Sequence, residues 1–155
     1  MYFRAQSSAR MLAEDESISF DEMVAYKHST RMELAERILD ELIGAAQQQQ
    51  DELTRRAAHV LAAWDRKADA DSRGAVLFSF WVDAIDFDTV FKTPWNEKSP
   101  FKTPDGLADP QSAVKALADA AAKVEKAYKK LDIAWGDVFR LRSGNLDLPA
   151  NGGDG

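Results

Sequence analysis

The sequence predicts an all-α fold, a helical bundle, and three observations carry that reading. Apolar residues recur at three- and four-residue steps along most of the chain, the spacing that places them on one face of a helix. Residues 75–85 are apolar nearly all round, as expected of a helix buried on every side. The run 2–12 is already amphipathic where the chain opens, and the run 148–155 closes on glycines with no element to receive the turn. The ends lead to the expectation that this bundle is a fragment, cut from a larger protein.

The elements follow in order. After the first helix, Ser19 and Glu22 have the spacing of a capping box, in which each satisfies the other's backbone N–H. The helix it starts runs from 20 to about 27 and ends near His28, Ser29 and Thr30. A cap at Ser29 or Thr30 then opens a helix over 31–44, with Met32, Ala35, Ile38, Leu39, Leu42 and Ile43 as its buried stripe. Residues 47–50 are a polar connector. Asp51 follows, and Leu53, Ala57, Val60, Leu61 and Trp64 mark the next amphipathic helix. Residues 68–74 form an Asp-rich loop before the apolar helix over 75–85, which should be the central one.

The period then lapses. Residues 93–106 hold Pro94, Pro100 and Pro104, which marks a long ordered loop. Asp109 followed by Pro110 is a helix start, with a capping carboxylate and a proline that needs no donor. Val114, Leu117, Ala121, Val124, Tyr128 and Leu131 continue it as one stripe. Residues 134–142 are short and mixed, a loop with at most one strand.

Composition narrows function. A formal net charge of −6, with Lys and Arg not gathered into a stripe, disfavours a nucleic-acid or anionic-membrane surface. The densest basic cluster, Lys123, Lys126, Lys129 and Lys130, is interleaved with alanines and Glu125. The chain has no cysteine, so disulfides, thiolate zinc sites and a cysteine nucleophile are excluded together. No apolar run reaches the roughly 18 residues that span a bilayer.

Catalytic motifs are absent. His28 and His59 lie on different helices, neither in a motif with a nucleophile or an orienting carboxylate. Residues 69–74 imitate the start of a calcium loop, but Arg73 and Phe80 fall where oxygen ligands are required. A helix-terminating turn accounts for them better, and Asp65 with Asp69 reads as a solvated helix end rather than a metal pair. Trp64 and Trp81 belong to core stripes, whereas Trp95 and Trp135 lie in irregular segments and stay open between core and ligand platform. No metal site and no cofactor site is expected.

Several stretches are nevertheless familiar when read together. Arg4-Ala5-Gln6 and Ser8-Ala9-Arg10-Met11-Leu12 lead through Ile18-Ser19-Phe20-Asp21-Glu22 to the run from Lys27-His28-Ser29-Thr30-Arg31 to Arg37. Leu61-Ala62-Ala63-Trp64-Asp65, Asp71-Ser72-Arg73-Gly74, Thr93-Pro94-Trp95 and Gly106-Leu107-Ala108-Asp109-Pro110 follow in order. The succession resembles the β-chain of the penicillin and cephalosporin acylases, closest to the glutaryl cephalosporin acylase branch. It covers nearly the whole chain.

That resemblance implies an N-terminal-nucleophile amide hydrolase with a four-layered αββα fold, made as a periplasmic or secreted precursor that cuts itself. In such enzymes a serine, with its own α-amino group as base, cleaves a linear amide through an acyl-enzyme. Residues 1–142 would be a helical segment of the β-chain, and 143–155 a Gly-rich exit loop leading to the sheet. The family's Ser-Asn-Asn-Trp-like start, early histidine and oxyanion asparagine do not occur in these residues, so no catalytic residue is expected here. One position carries over: Arg4 matches an arginine that borders the site and steadies the oxyanion asparagine. The implied partners are the remainder of the acylase and a small amide substrate, with self-association open to the isolated piece. A stand-alone helical interaction module is the alternative reading.

Overall fold

A computed structural model describes residues 3–153; Met1 and Tyr2 of the opening run, and Asp154 and Gly155 of the closing run, lie outside the described residues. The helices are α1 (Phe3–Ala13), α2 (Phe20–Lys27), α3 (Glu33–Gln47), α4 (Glu52–Ala62), α5 (Ala75–Val82), α6 (Pro110–Tyr128) and α7 (Trp135–Val138). Two short ribbons interrupt them, β1 (Phe91–Thr93) with β2 (Asp105–Leu107), and β3 (Arg140–Ser143) with β4 (Leu146–Pro149). The chain is mostly helical but not purely all-α.

The expected central helix is the most buried. Ala75, Val76, Leu77, Phe78 and Trp81 of α5 are wholly inaccessible, each large side chain contributing about 1.5–3 kcal/mol by burial. Phe78 stands between Trp64 and Trp81, with ring centroids 5.2 and 5.5 Å away. The Trp81 indole donates to the Ala113 carbonyl at 2.9 Å, which ties α5 to α6. Ile38, Leu39 and Leu42 of α3, Leu61 of α4, and Leu117 and Val124 of α6 complete this core. The helix stops at Val82, short of the expected 85.

Local capping signals hold where they are local. Ser19 N–H donates to the Glu22 carboxylate at 2.8 Å and Glu22 N–H to the Ser19 hydroxyl at 3.3 Å, a complete capping box. Asp109 accepts from Gln111 and Ser112 N–H groups at 3.0 and 3.1 Å, with Pro110 opening α6. Asp51 caps α4, accepting from the Thr54 N–H at 2.8 Å and the Thr54 hydroxyl at 2.6 Å.

Three expectations are corrected. Neither Ser29 nor Thr30 caps α3, which starts at Glu33 behind an uncapped Met32. Residues 30–32 are instead held extended, Met32 N–H donating to the Arg66 carbonyl and Ala68 N–H to the Thr30 carbonyl. The Thr30 hydroxyl is taken by Asp69 at 2.7 Å. Residues 69–74 do not end a helix, since α4 closes at Ala62. They form the turn into α5, where Gly74 has φ 121° and lies so close to Trp64 that a Cβ would sit 2.6 Å from the Trp64 Cβ.

The third correction concerns strands. The aperiodic loop is closed by a ribbon, Phe91 facing Leu107 and Thr93 facing Asp105. The Leu107 N–H donates to Glu41 of α3 at 2.9 Å. At the other ribbon Gly144 takes φ 55° in the tight turn, and strand alternation sorts the side chains by face. Leu141, Ser143, Leu146 and Leu148 share one face, and Arg140, Arg142 and Asp147 share the other. There the Arg140 guanidinium, hydrogen-bonded to Asp147, holds that carboxyl below its ordinary range.

Two outcomes test this account. Gly74→Ala should lower unfolding stability in denaturant by about 2 kcal/mol or more, because the side chain meets both strain and Trp64. The Thr54 hydroxyl, and then the Thr54 N–H, hold Asp51 below the usual carboxylate range. A depressed folded-state value stabilises the fold above the unfolded value of about 4 and is lost as pH falls through the folded one. Asp51→Asn should therefore lower the thermal midpoint at pH 7, and the gap to wild type should close as pH drops below about 4.

Candidate functional site

Arg4 lies in the first turn of α1, exposed, and enters no hydrogen bond or ion pair among the described residues. Its setting is fixed by what holds α1. Gln6, fully buried, donates to the Thr103 carbonyl at 2.8 Å. One turn on, the Arg10 guanidinium meets the Glu33 carboxylate and donates to the Phe101 carbonyl at 3.2 Å. The same Glu33 oxygen is 2.7 Å from Arg37, one turn along α3. The Phe3 ring meets Phe91 of β1 with centroids 5.9 Å apart. α1 is thus pinned to α3 and to the loop between β1 and β2.

Two clefts share Arg4. The smaller, about 280 Å³, runs between α1 and the chain entering α3 and is lined by Ser7, Ser8, Lys27 and Ser29 among others. The larger, about 590 Å³, has aromatic walls from Phe3, Phe87, Trp135 and Phe139. Arg4, Met32, Gly152 and Gly153 border both. A cleft of this size with apolar walls and a few polar groups suits a small molecule. The lone guanidinium offers a fork of donors for an amide or carboxylate oxygen.

The ridge between the clefts is made by the tail. Gly152 N–H donates to the Ala68 carbonyl at 2.7 Å, and Asn151 accepts from the Ala70 N–H at 2.7 Å. Gly153 lies against Trp135, where a Cβ would come within 3.1 Å of the indole ring. Trp135 itself is buried and stacks on Phe139 with centroids 3.9 Å apart. Arg140, also at the larger cleft, is occupied by Asp147 and by the Gly136 carbonyl at 3.0 Å.

The other residues singled out from sequence fall elsewhere. Trp95 is exposed in the 93–106 loop and Trp135 floors the larger cleft, so the two are not brought together. Trp64 and Trp81 are core residues. His28 ends α2 and His59 lies exposed on α4, and neither lines the Arg4 clefts. Asp65 accepts from the Lys67 N–H at 3.1 Å within its turn, whereas Asp69 accepts from the Thr30 hydroxyl across the fold at 2.7 Å, so the pair is not the solvated helix end expected. Among the described residues no three metal-ligating side chains gather. The buried Gln6 and Glu33, which set Arg4 in place, were not singled out from sequence; their one signal is polarity on faces that pack.

The family model for penicillin amidase matches residues 2–155.

The anchoring account makes a paired prediction. Glu33→Ala leaves Arg10 and Arg37 without their shared carboxylate and should cost about 3 kcal/mol or more of unfolding free energy. Arg4→Ala, which removes no hydrogen bond or ion pair among the described residues, should stay within about 0.5 kcal/mol of wild type in the same denaturation series.

Proposed function

We propose, since the chain belongs to the penicillin amidase family, that it is a helical part of an amide hydrolase and borders the substrate side of the site. The family match across residues 2–155 carries this reading. In it, residues 1–142 are the helical segment, and 143–155, which include β4, lead toward the sheet layers of an αββα N-terminal-nucleophile fold. The branch closest in sequence character is that of the glutaryl cephalosporin acylases, and the enzyme works in the periplasm or outside the cell.

The chemistry asks little of these residues directly. A serine at the start of the β-chain, with its α-amino group as base, adds to the amide carbonyl. Nitrogen leaves with the proton, and water releases the acid from the acyl-enzyme. Charge builds on the carbonyl oxygen and is met by backbone and asparagine donors. Arg4 is the positioning residue, its guanidinium holding that asparagine amide in its productive orientation. Its exposure, its freedom from hydrogen-bond and ion-pair partners among the described residues and its place between two clefts all support the assignment. The remainder of the acylase is the partner. The exposed Leu12, Ile18, Phe20, Met23 and Val24, and Leu141, Leu146 and Leu148 of the second ribbon, supply apolar surface for it. A stand-alone interaction module, with a closed polar surface, would have less reason for them.

Two measurements test the reading. The purified 155-residue chain should not turn over glutaryl- or phenylacetyl-amide chromogens above buffer, and measurable turnover would refute it. In a complete acylase carrying this segment, Arg4→Ala should lower kcat by about tenfold or more while leaving the melting temperature unchanged. An unaltered kcat removes Arg4 from the site.

A further inference from the structure

We propose that the groove between α4 and the end of α6 binds a small multivalent oxyanion, presented as linked phosphates or as clustered carboxylates. The groove measures about 500 Å³, within the range of small-molecule sites. Arg55 and His59 of α4, with Lys129 and Lys130 beyond α6, line it over a floor of Val60 and buried Leu131. With Arg55, Arg56, Lys129 and Lys130 against Glu52 and Asp132, its lining is net positive in a chain of net charge −6.

The neighbouring carboxylates are largely committed elsewhere. Glu125 pairs with Arg56 at 2.9 Å. Asp132 is 3.6 Å from Arg73, which also donates to the Asp132 carbonyl at 2.9 Å. Glu52 lines the groove from the first turn of α4, where the helix dipole favours a negative charge. Arg55, His59 and Lys130 have no side-chain hydrogen bond or ion pair among the described residues, and all three are exposed and open to an anion entering the groove.

Backbone geometry gives an independent reason. Lys129 ends α6 in the left-handed region, φ 63°, a position that favours glycine. Among the described residues the other non-glycine with positive φ is Arg66, and its guanidinium is spent on Glu36 and Asp40 at 2.9 and 2.5 Å. Among the described residues Lys129 meets no carboxylate; its ammonium donates to the last-turn carbonyl of Lys126 at 3.0 Å. The left-handed backbone thus keeps a cation at the rim of the groove where glycine would fit better. Sequence alone shows Lys123, Lys126, Lys129 and Lys130 as a scattered run; the fold adds Arg55 and His59 across from it.

Calorimetric titration of the 155-residue chain with pyrophosphate and, separately, with citrate tests the site. Saturable one-to-one binding of either supports it, the arm that binds identifying the source, and affinity should fall between about 50 and 300 mM salt. Lys129→Gly should keep or raise the melting temperature while weakening binding about threefold or more. The double variant Arg55→Glu with Lys130→Glu should abolish saturation, and Lys115→Glu, far along α6, should leave it intact. Binding of neither anion overturns the proposal. So does a Lys129→Gly chain that binds like wild type, or a Lys115→Glu chain that loses as much as the double variant.

Discussion

The site side of this molecule depends on one buried carboxylate. Glu33 is almost wholly inaccessible, and a charge so placed is tolerable only when paired. It is paired twice, by Arg10 from α1 and by Arg37 from its own helix. The arrangement fixes the rotation of α1, because Arg10 must face α3 for the pair to form. One turn earlier on that helix, Gln6 must then face the 93–106 loop, where its amide meets Thr103. Arg4 is left on the open side by geometry.

The loop depends on the same anchoring. Its middle has no helical period and is punctuated by prolines, so it cannot order itself through a backbone ladder. Order comes from three directions: the two-residue-pair ribbon at its base, Arg10 and Gln6 bonded to its carbonyls, and Glu41 accepting from Leu107. Thr103 adds an internal clasp, its hydroxyl accepting from the Asn96 N–H at 2.8 Å. Losing the ion cluster at Glu33 would therefore loosen α1, one wall of the smaller cleft, together with the Arg10 hold on the loop.

What was legible in the sequence follows from the range of each interaction. The Ser19–Glu22 box and the Asp109–Pro110 start are complete within four residues, and both stand as read. The near-uniform apolarity read over residues 75–85 is also local; it marks the central helix but overruns its end at Val82. The start of α3 was misread because it is decided by residues 66–68, which hold 30–32 extended against them. Likewise β1 and β2 acquire meaning only once residue 91 finds 107. Arg4 came from a family resemblance, and no periodicity marks it. The clefts beside it could not be read at all, because their shared ridge forms when residues 151–152 return to bond Ala68 and Ala70.

Two cations, Arg4 and Lys129, lie at helix ends. The N-terminal turn of a helix carries partial positive charge and favours acids, by about 0.3–1 kcal/mol for an exposed group. Among the described residues the opening turn of α1 carries Arg4 and no acid. By contrast Arg10, in the last turn, sits where the dipole welcomes it and also has a carboxylate. Lys129 has the favoured end of α6 but the wrong backbone region. Its ammonium nevertheless donates to the last-turn carbonyl of Lys126, a contact that suits a cation at a helix C-terminus. Arg4 and Lys129 are exposed and each borders a cavity large enough for a small molecule, so an anion could reach either without rearrangement of the fold.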